Sequence, residues 1–264
     1  MQINKTMLKT IPILLASALA LSACSAPAPE ATTAKSNRVI TIATSNDAPF
    51  AFTDSAGNLI GIDGEMWLEI AKCNGWDTKV FITDFSTLIP ALTAKKADII
   101  VDAMYITDKR KETINFTDPW YFQGEGVLVP AASKVKTRDD VKGLVLGAQT
   151  GTVFSDFIGT LGGSETKFFD SQAALITAVE NGQVDAAFTD AAVLAYSLVQ
   201  KPNDKIKLVS PYTPFFPGTI GAGIRKEDTD ILDGVNTCLT QLKTSGKYLE
   251  ILKKYGLTED NVAK

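Results

Sequence analysis

The chain has 264 residues, 45% hydrophobic and 21% charged, with a net charge of −4 and a pI near 5.0. That is the balance of a folded globular protein, and it argues against nucleic acid, whose binding rests on excess Lys and Arg. The absence of histidine removes Ser-His-Asp and Cys-His catalysis and histidine metal ligands in one step. The three cysteines, Cys24, Cys73 and Cys238, form no CxxC motif, so no metal and no redox site is expected.

In chain order, residues 1–23 read as an export signal. Lys5 and Lys9 precede an apolar run from Ile11 to Leu21, shorter than the ~20 residues that span a bilayer. The run ends in Leu21-Ser22-Ala23-Cys24, which resembles the bacterial lipobox. The resemblance implies cleavage before Cys24 and a lipid on its sulfur. Residues 24–37, rich in Ala, Pro, Ser and Thr, cannot bury enough surface to fold and read as a tether. The folded part is therefore expected outside the cytoplasm, lipid-anchored to the cell membrane.

From Arg38 short apolar runs alternate with helical patterns. RVITIATS, TKVFITD, ADIIVDAM, GEGVLVP, KGLVLGA, VDAAFTD, IKLVS and TIGAGI read as strands, several apolar throughout as buried parallel strands are. GEMWLEIAKCNGW, STLIPALTAKK, SQAALITAVENGQ and DAAVLAYSLVQ have helical spacing, so the fold class is α/β. One unit recurs: Leu88-Ile89-x-Ala91 lies ten residues before Asp98, as Leu175-Ile176-x-Ala178 does before Asp185. Both strands that follow end in a further carboxylate, Asp102 and Asp190. This is either chance or the mark of two equivalent lobes facing a shared cleft. No cofactor motif is present, since GTIGAG lacks the GxGxxG order and its strand-to-helix setting.

The segment DFSTLIPALTAKKADIIVDAMYITDKRKETINFTDPWY, with LGAQTGTV and VDAAFTD, resembles the bacterial extracellular solute-binding proteins of polar amino-acid ABC importers. The lysine/arginine/ornithine-binding and histidine-binding proteins are the nearest in pattern. The likeness runs from about Arg38 to Tyr255. It implies a two-lobed, type II periplasmic-binding-protein fold, a Venus flytrap. Residues 38–124 and 218–264 would form lobe one and 125–217 lobe two, with crossings at GEGVLVP and PGTIGAGI. The proline-rich SPYTPFFPG would be an extended return strand.

The resemblance also implies a site. Arg110 falls on the ligand-carboxylate arginine, a bidentate role that Lys cannot copy. Asp190 falls on the residue that takes the α-ammonium, although an Asp before AAVLAY would also suit a helix N-cap. Thr150, Gly151 and Thr152, between Gln149 and Val153, match a turn that grips the carboxylate. Phe85 matches an aromatic wall. Cys73 and Cys238, both mapped to lobe one, are a possible disulfide. The chain departs from the basic-amino-acid binders at Asp102-Ala103-Met104-Tyr105, where they are serine-rich, and at Asp47-Ala48-Pro49-Phe50, where they carry a tyrosine. Asp47, Phe50, Phe85, Tyr105 and Arg110 are instead similar to the set in ectoine/hydroxyectoine-binding proteins, which hold a delocalised cation between aromatic rings. The ligand is thus a small zwitterion with a carboxylate, an amino acid or an ectoine-like solute. The implied protein is a monomer that is not an enzyme and hands its ligand to ABC permease subunits. An enzyme of this fold, a cyclohexadienyl or arogenate dehydratase using Asp47 or Asp102 as an acid, is the rival from another class.

Overall fold

The computed structural model describes residues 37–263, so the expected signal, Cys24 and all but the last residue of the tether lie outside the described residues. The first lobe opens with β1 (Arg38–Thr44), a hairpin of β2 (Phe52–Thr53) and β3 (Leu59–Ile60), α1 (Ile62–Asn74) and β4 (Trp76–Ile82). It continues through α2 (Leu88–Thr93), β5 (Ile99–Ile100), α3 (Asp108–Lys111) and β6 (Asn115–Phe116). After β7 (Tyr121–Gln123) the chain builds a second sheet. Its elements are β8 (Glu125–Pro130), β9 (Val145–Gln149), α4 (Val153–Ile158), β10 (Glu165–Phe169), α5 (Gln172–Glu180), β11 (Ala186–Asp190), α6 (Ala191–Gln200) and β12 (Ile206–Leu208). It returns through β13 (Gly218–Ile220) to β14 (Gly223–Ile224), α7 (Thr229–Thr244) and α8 (Gly246–Lys254).

The two sheets have one design. Their strand orders are β4-β1-β5-β14-β6 and β10-β9-β11-β8-β12. In each, three parallel strands come first, and the fourth, β14 or β8, runs antiparallel. The recurring sequence unit occupies equivalent places in them. Asp98 and Asp185 each precede the third parallel strand, and each reaches across to the central one. Asp98 Oδ2 accepts from the Thr41 N–H at 2.9 Å, and Asp185 Oδ2 accepts from the Val145 N–H at 2.8 Å. A half-buried carboxylate that satisfies a neighbouring strand's amide locks the register, which explains an Asp at that point in both halves.

One of the two crossings between the lobes differs in place from the expected one, while the other, in PGTIGAGI, holds β13. GEGVLVP is β8, a buried strand of the second sheet, while the crossing pair is the short ribbon of β7 with β13, Tyr121 opposite Ile220. The apolar run of β8 marks burial within a lobe; the crossing segment, more mixed in character, gave no such signal. TIGAGI is likewise two strands and not one, β13 in the ribbon and β14 in the first sheet. SPYTPFFPG is an irregular loop, because three prolines cannot donate to a ladder. It is held by the buried Glu125 carboxylate, which accepts from the Tyr212 hydroxyl at 3.0 Å and the Phe216 N–H at 2.7 Å. The elements not expected from sequence, β6, β7 and β10 among them, are short or part-exposed.

Cys73 on α1 and Cys238 on α7 form a disulfide with Cα atoms 6.0 Å apart, closing a loop across 165 positions. A crosslink of that span restricts the unfolded chain strongly. Cys73→Ser with Cys238→Ser is expected to cost about 2–5 kcal/mol, read as a lower urea midpoint than the oxidised parent with an intact fold.

Candidate functional site

Where the lobes meet, the last residues of several strands and the turns after them enclose a cavity of about 10 Å³, roughly the space of one water. Of the residues expected to form a site, Asp47, Phe50, Phe85, Asp102, Ala103, Tyr105, Arg110, Thr152 and Asp190 line it. Thr150 and Gly151 do not. The Thr150 N–H is spent on the Phe169 carbonyl at 2.9 Å. Gly151, at φ +80°, lies against the other lobe, and a Cβ there would stand 2.8 Å from Ser86 Cα. This glycine marks close approach between lobes. Ser45, Gln149, Val153, Phe154 and Gln172 complete the lining. Ser45 and Gln172 carry no motif; only the fold brings them here.

Arg110 is placed by α3, whose Thr107 cap accepts the Arg110 N–H. Its guanidinium donates to the Tyr105 carbonyl at 2.8 Å and, across the cleft, to the Gly151 carbonyl at 3.1 Å. It also lies 5.6 Å from the centre of the Phe85 ring, so that ring already faces a cation. Burial lowers the guanidinium pKa to about 10, opposed by Asp190 and Asp156; it stays charged at neutral pH.

Asp190 ends β11 at the head of α6, yet its side chain makes no capping hydrogen bond. The residue is 6% exposed, and Oδ1 has no hydrogen-bond partner among the described residues. Burial raises its pKa to about 7, partly offset by the neighbouring Tyr105 hydroxyl. That hydroxyl also lacks a partner of good geometry, so the two groups influence each other without a well-formed hydrogen bond. An unpaired buried carboxylate is costly, and a cation brought beside it removes the cost.

Tyr105 packs against the crossing ribbon. It bridges to Ile220, its ring meets Phe154 edge-on at 5.6 Å, and a Cβ on Gly218 would stand 2.3 Å from the ring. One face of Tyr105 is therefore covered by β13, which leaves less of it for a ligand.

At the other side, Asp102 accepts from the Ser45 N–H at 2.8 Å and the Ser45 hydroxyl at 2.5 Å, while the Thr44 hydroxyl, 3.2 Å away, donates to the Ala51 carbonyl at 2.5 Å. Burial and the nearby Asp47 raise its pKa well above the usual range. Asp47 is raised by burial too, against hydrogen bonds from Gln149 and Ser45. Among the described residues Arg110 is the one cation in the lining.

The sequence profile described as bacterial extracellular solute-binding proteins, family 3, matches residues 40–258. A probable histidine-binding protein of Neisseria gonorrhoeae is 32% identical, covering 95% of this chain and 96% of its own. An ancestral arginine-binding protein, solved with arginine bound, has 30% identity and a TM-score of 0.77, covering 83% of this chain and 98% of its own. An ancestral amino acid-binding protein, described as a precursor of cyclohexadienyl dehydratase, has 29% identity and a TM-score of 0.74, covering 82% of this chain and 95% of its own.

Proposed function

The chain belongs to the bacterial extracellular solute-binding proteins of family 3, and on that footing we propose that it captures a free amino acid for an ABC importer. Arg110 takes the α-carboxylate and Asp190 the α-ammonium. The observation that carries this is the buried Asp190 carboxylate, free of its helix and unpartnered at Oδ1, in the same cavity as Arg110. The opposed charges match a zwitterion's two ends. A cavity near 10 Å³ cannot admit an amino acid as it stands, so entry requires the lobes to part about the β7–β13 ribbon. The ectoine-like reading is weaker, because Phe85 already faces Arg110 and β13 covers one face of Tyr105. The dehydratase reading is weaker too, since both candidate acids are already hydrogen-bonded within the protein, Asp102 to Ser45 and Asp47 to Gln149. We take the protein to act as a monomeric carrier without catalysis.

A thermal-shift panel of the twenty amino acids on the chain after Cys24 tests the reading. A ligand at a hundredfold excess over Kd stabilises by about 2.7 kcal/mol, or roughly 5–10 °C for a protein of this size. No shift with any amino acid would refute it.

Delivery to a permease fits the lipid attachment at Cys24 that the lipobox resemblance implies. Cys24→Ser is expected to leave the protein uncleaved or released, read by fractionation. Unchanged membrane association of that variant would contradict lipidation.

A further inference from the structure

The cavity has two polar ends, and the proposed contacts to the amino acid's backbone use only one. Arg110 feels Asp190 and Asp156, whereas Asp102 feels Asp47 and Asp63. The second end is a chain of hydrogen bonds that crosses the cleft. The Thr189 hydroxyl donates to Gln172 Oε1 at 2.6 Å, Gln172 Nε2 to Gln149 Oε1 at 2.7 Å, and Gln149 Nε2 to Asp47 Oδ2 at 2.9 Å. The first three residues belong to the second sheet's lobe and Asp47 to the first. Ser45 then stands between two carboxylates, its Oγ 3.1 Å from Asp47 Oδ2 and 2.5 Å from Asp102 Oδ2. A hydroxyl has one proton, so it can serve only one of them. Burial favours the protonated form of Asp102, so Asp47 is the carboxylate of this end that a ligand's donor would meet, and no basic side chain of the described lining meets it.

We infer that Asp47 reads the ligand's side chain: an end group that donates hydrogen bonds, a cationic one above all, takes the Asp47 carboxylate from the Gln149 amide. Gln149 is then an exchangeable latch between lobes. In the closed geometry without room for a ligand it occupies Asp47; with ligand present it yields that place and keeps its bonds to Gln172 and to the Asp170 carbonyl, 3.2 Å away. The relay behind it, anchored on Thr189 in β11, fixes which way the amide points. Acidic side chains are excluded by repulsion from Asp47, and apolar ones would displace the Gln149 amide without replacing its bond to that carboxylate. The inference rests on the amino-acid reading of the cleft. Asp47 stands where the basic-amino-acid binders carry a tyrosine, so the role belongs to this chain.

The test is calorimetric titration of lysine, arginine, glutamine, glutamate and leucine into the parent, Asp47→Asn and Gln149→Leu. Asp47→Asn keeps the shape and removes the charge. It is expected to weaken lysine or arginine by about 30-fold or more, and glutamine by less, because a charge-assisted contact becomes a neutral one. Gln149→Leu is expected to keep the order of preference while enlarging the ligand-free radius of gyration in X-ray scattering, since the latch is gone. An Asp47→Asn variant that keeps the parent's order of preference, or weakens every amino acid by one factor, overturns the inference and leaves the cleft's amino-acid role intact. A Gln149→Leu radius equal to the parent's overturns the latch. A parent that binds no amino acid at all sinks both this inference and the reading beneath it.

Discussion

Replacing Arg110 with alanine is expected to weaken the cognate amino acid by about 30-fold to several thousand-fold, the largest loss of any single change in the cleft. Truncating one partner of a buried charge pair costs about 2–5 kcal/mol, much of it from stranding the other charge. Arg110 is well placed for that role. Its guanidinium is held by the Tyr105 and Gly151 carbonyls and steadied over Phe85, so its orientation is fixed before a ligand arrives. Arg110→Lys should recover little, because a point charge lacks the planar fork. The Gly151 contact adds a second effect: the variant loses a bond between lobes, so its scattering radius without ligand should also grow.

Asp190→Asn is expected to cost a comparable factor, and it carries a pH signature that Arg110 does not. Burial raises the Asp190 pKa to about 7, so in the ligand-free protein the carboxyl is increasingly protonated below that pH. Capturing an ammonium needs the carboxylate and so releases the proton. Affinity should be flat above about pH 7 and fall toward tenfold per pH unit below it. Arg110, with a pKa near 10, remains charged throughout that window. Competing sources of such a slope are Asp47 and Asp102, which line the cavity and are raised by burial, and Asp63, also near 7, whose Oδ2 accepts from the Tyr121 hydroxyl at 2.8 Å. Asp63 does not line the cavity. Titrations of Asp190→Asn across pH 5–9 separate them: the slope should be clearly reduced in that variant, and an undiminished slope would move the proton elsewhere.

Much of this site was legible before any coordinates, for particular reasons. Arg110 lies in a motif whose spacing is short and local, so α3 delivers it as the sequence implies. The repeated helix–Asp–strand unit announced two similar sheets, and the bonds from Asp98 and Asp185 to their central strands give that repeat its physical cause. From sequence alone Asp190 suits a helix cap, a ligand contact or both; its side chain makes no capping hydrogen bond, which leaves it free for the contact proposed. Gln172 and Ser45 were invisible because nothing local distinguishes them. Gln172 opens α5, more than a hundred residues after Asp47, and the cross-lobe relay exists only once both sheets have formed. The first crossing is misplaced for the reverse reason, since the strongest apolar run nearby belongs to a buried strand of one lobe, whereas the second, β13, lies within the expected PGTIGAGI.

Whether Arg110 holds the ligand's carboxylate is tested most directly by a cycle of two binding measurements on two proteins. The cognate amino acid and its carboxamide, which keeps the shape but loses the charge, are titrated into the parent and into Arg110→Ala. The parent should bind the carboxamide about 30-fold or more weakly than the acid, while the variant should tell them apart by less than about threefold, because the group that distinguished them is gone. The same ratio in both proteins would place the carboxylate away from Arg110 and contradict the account.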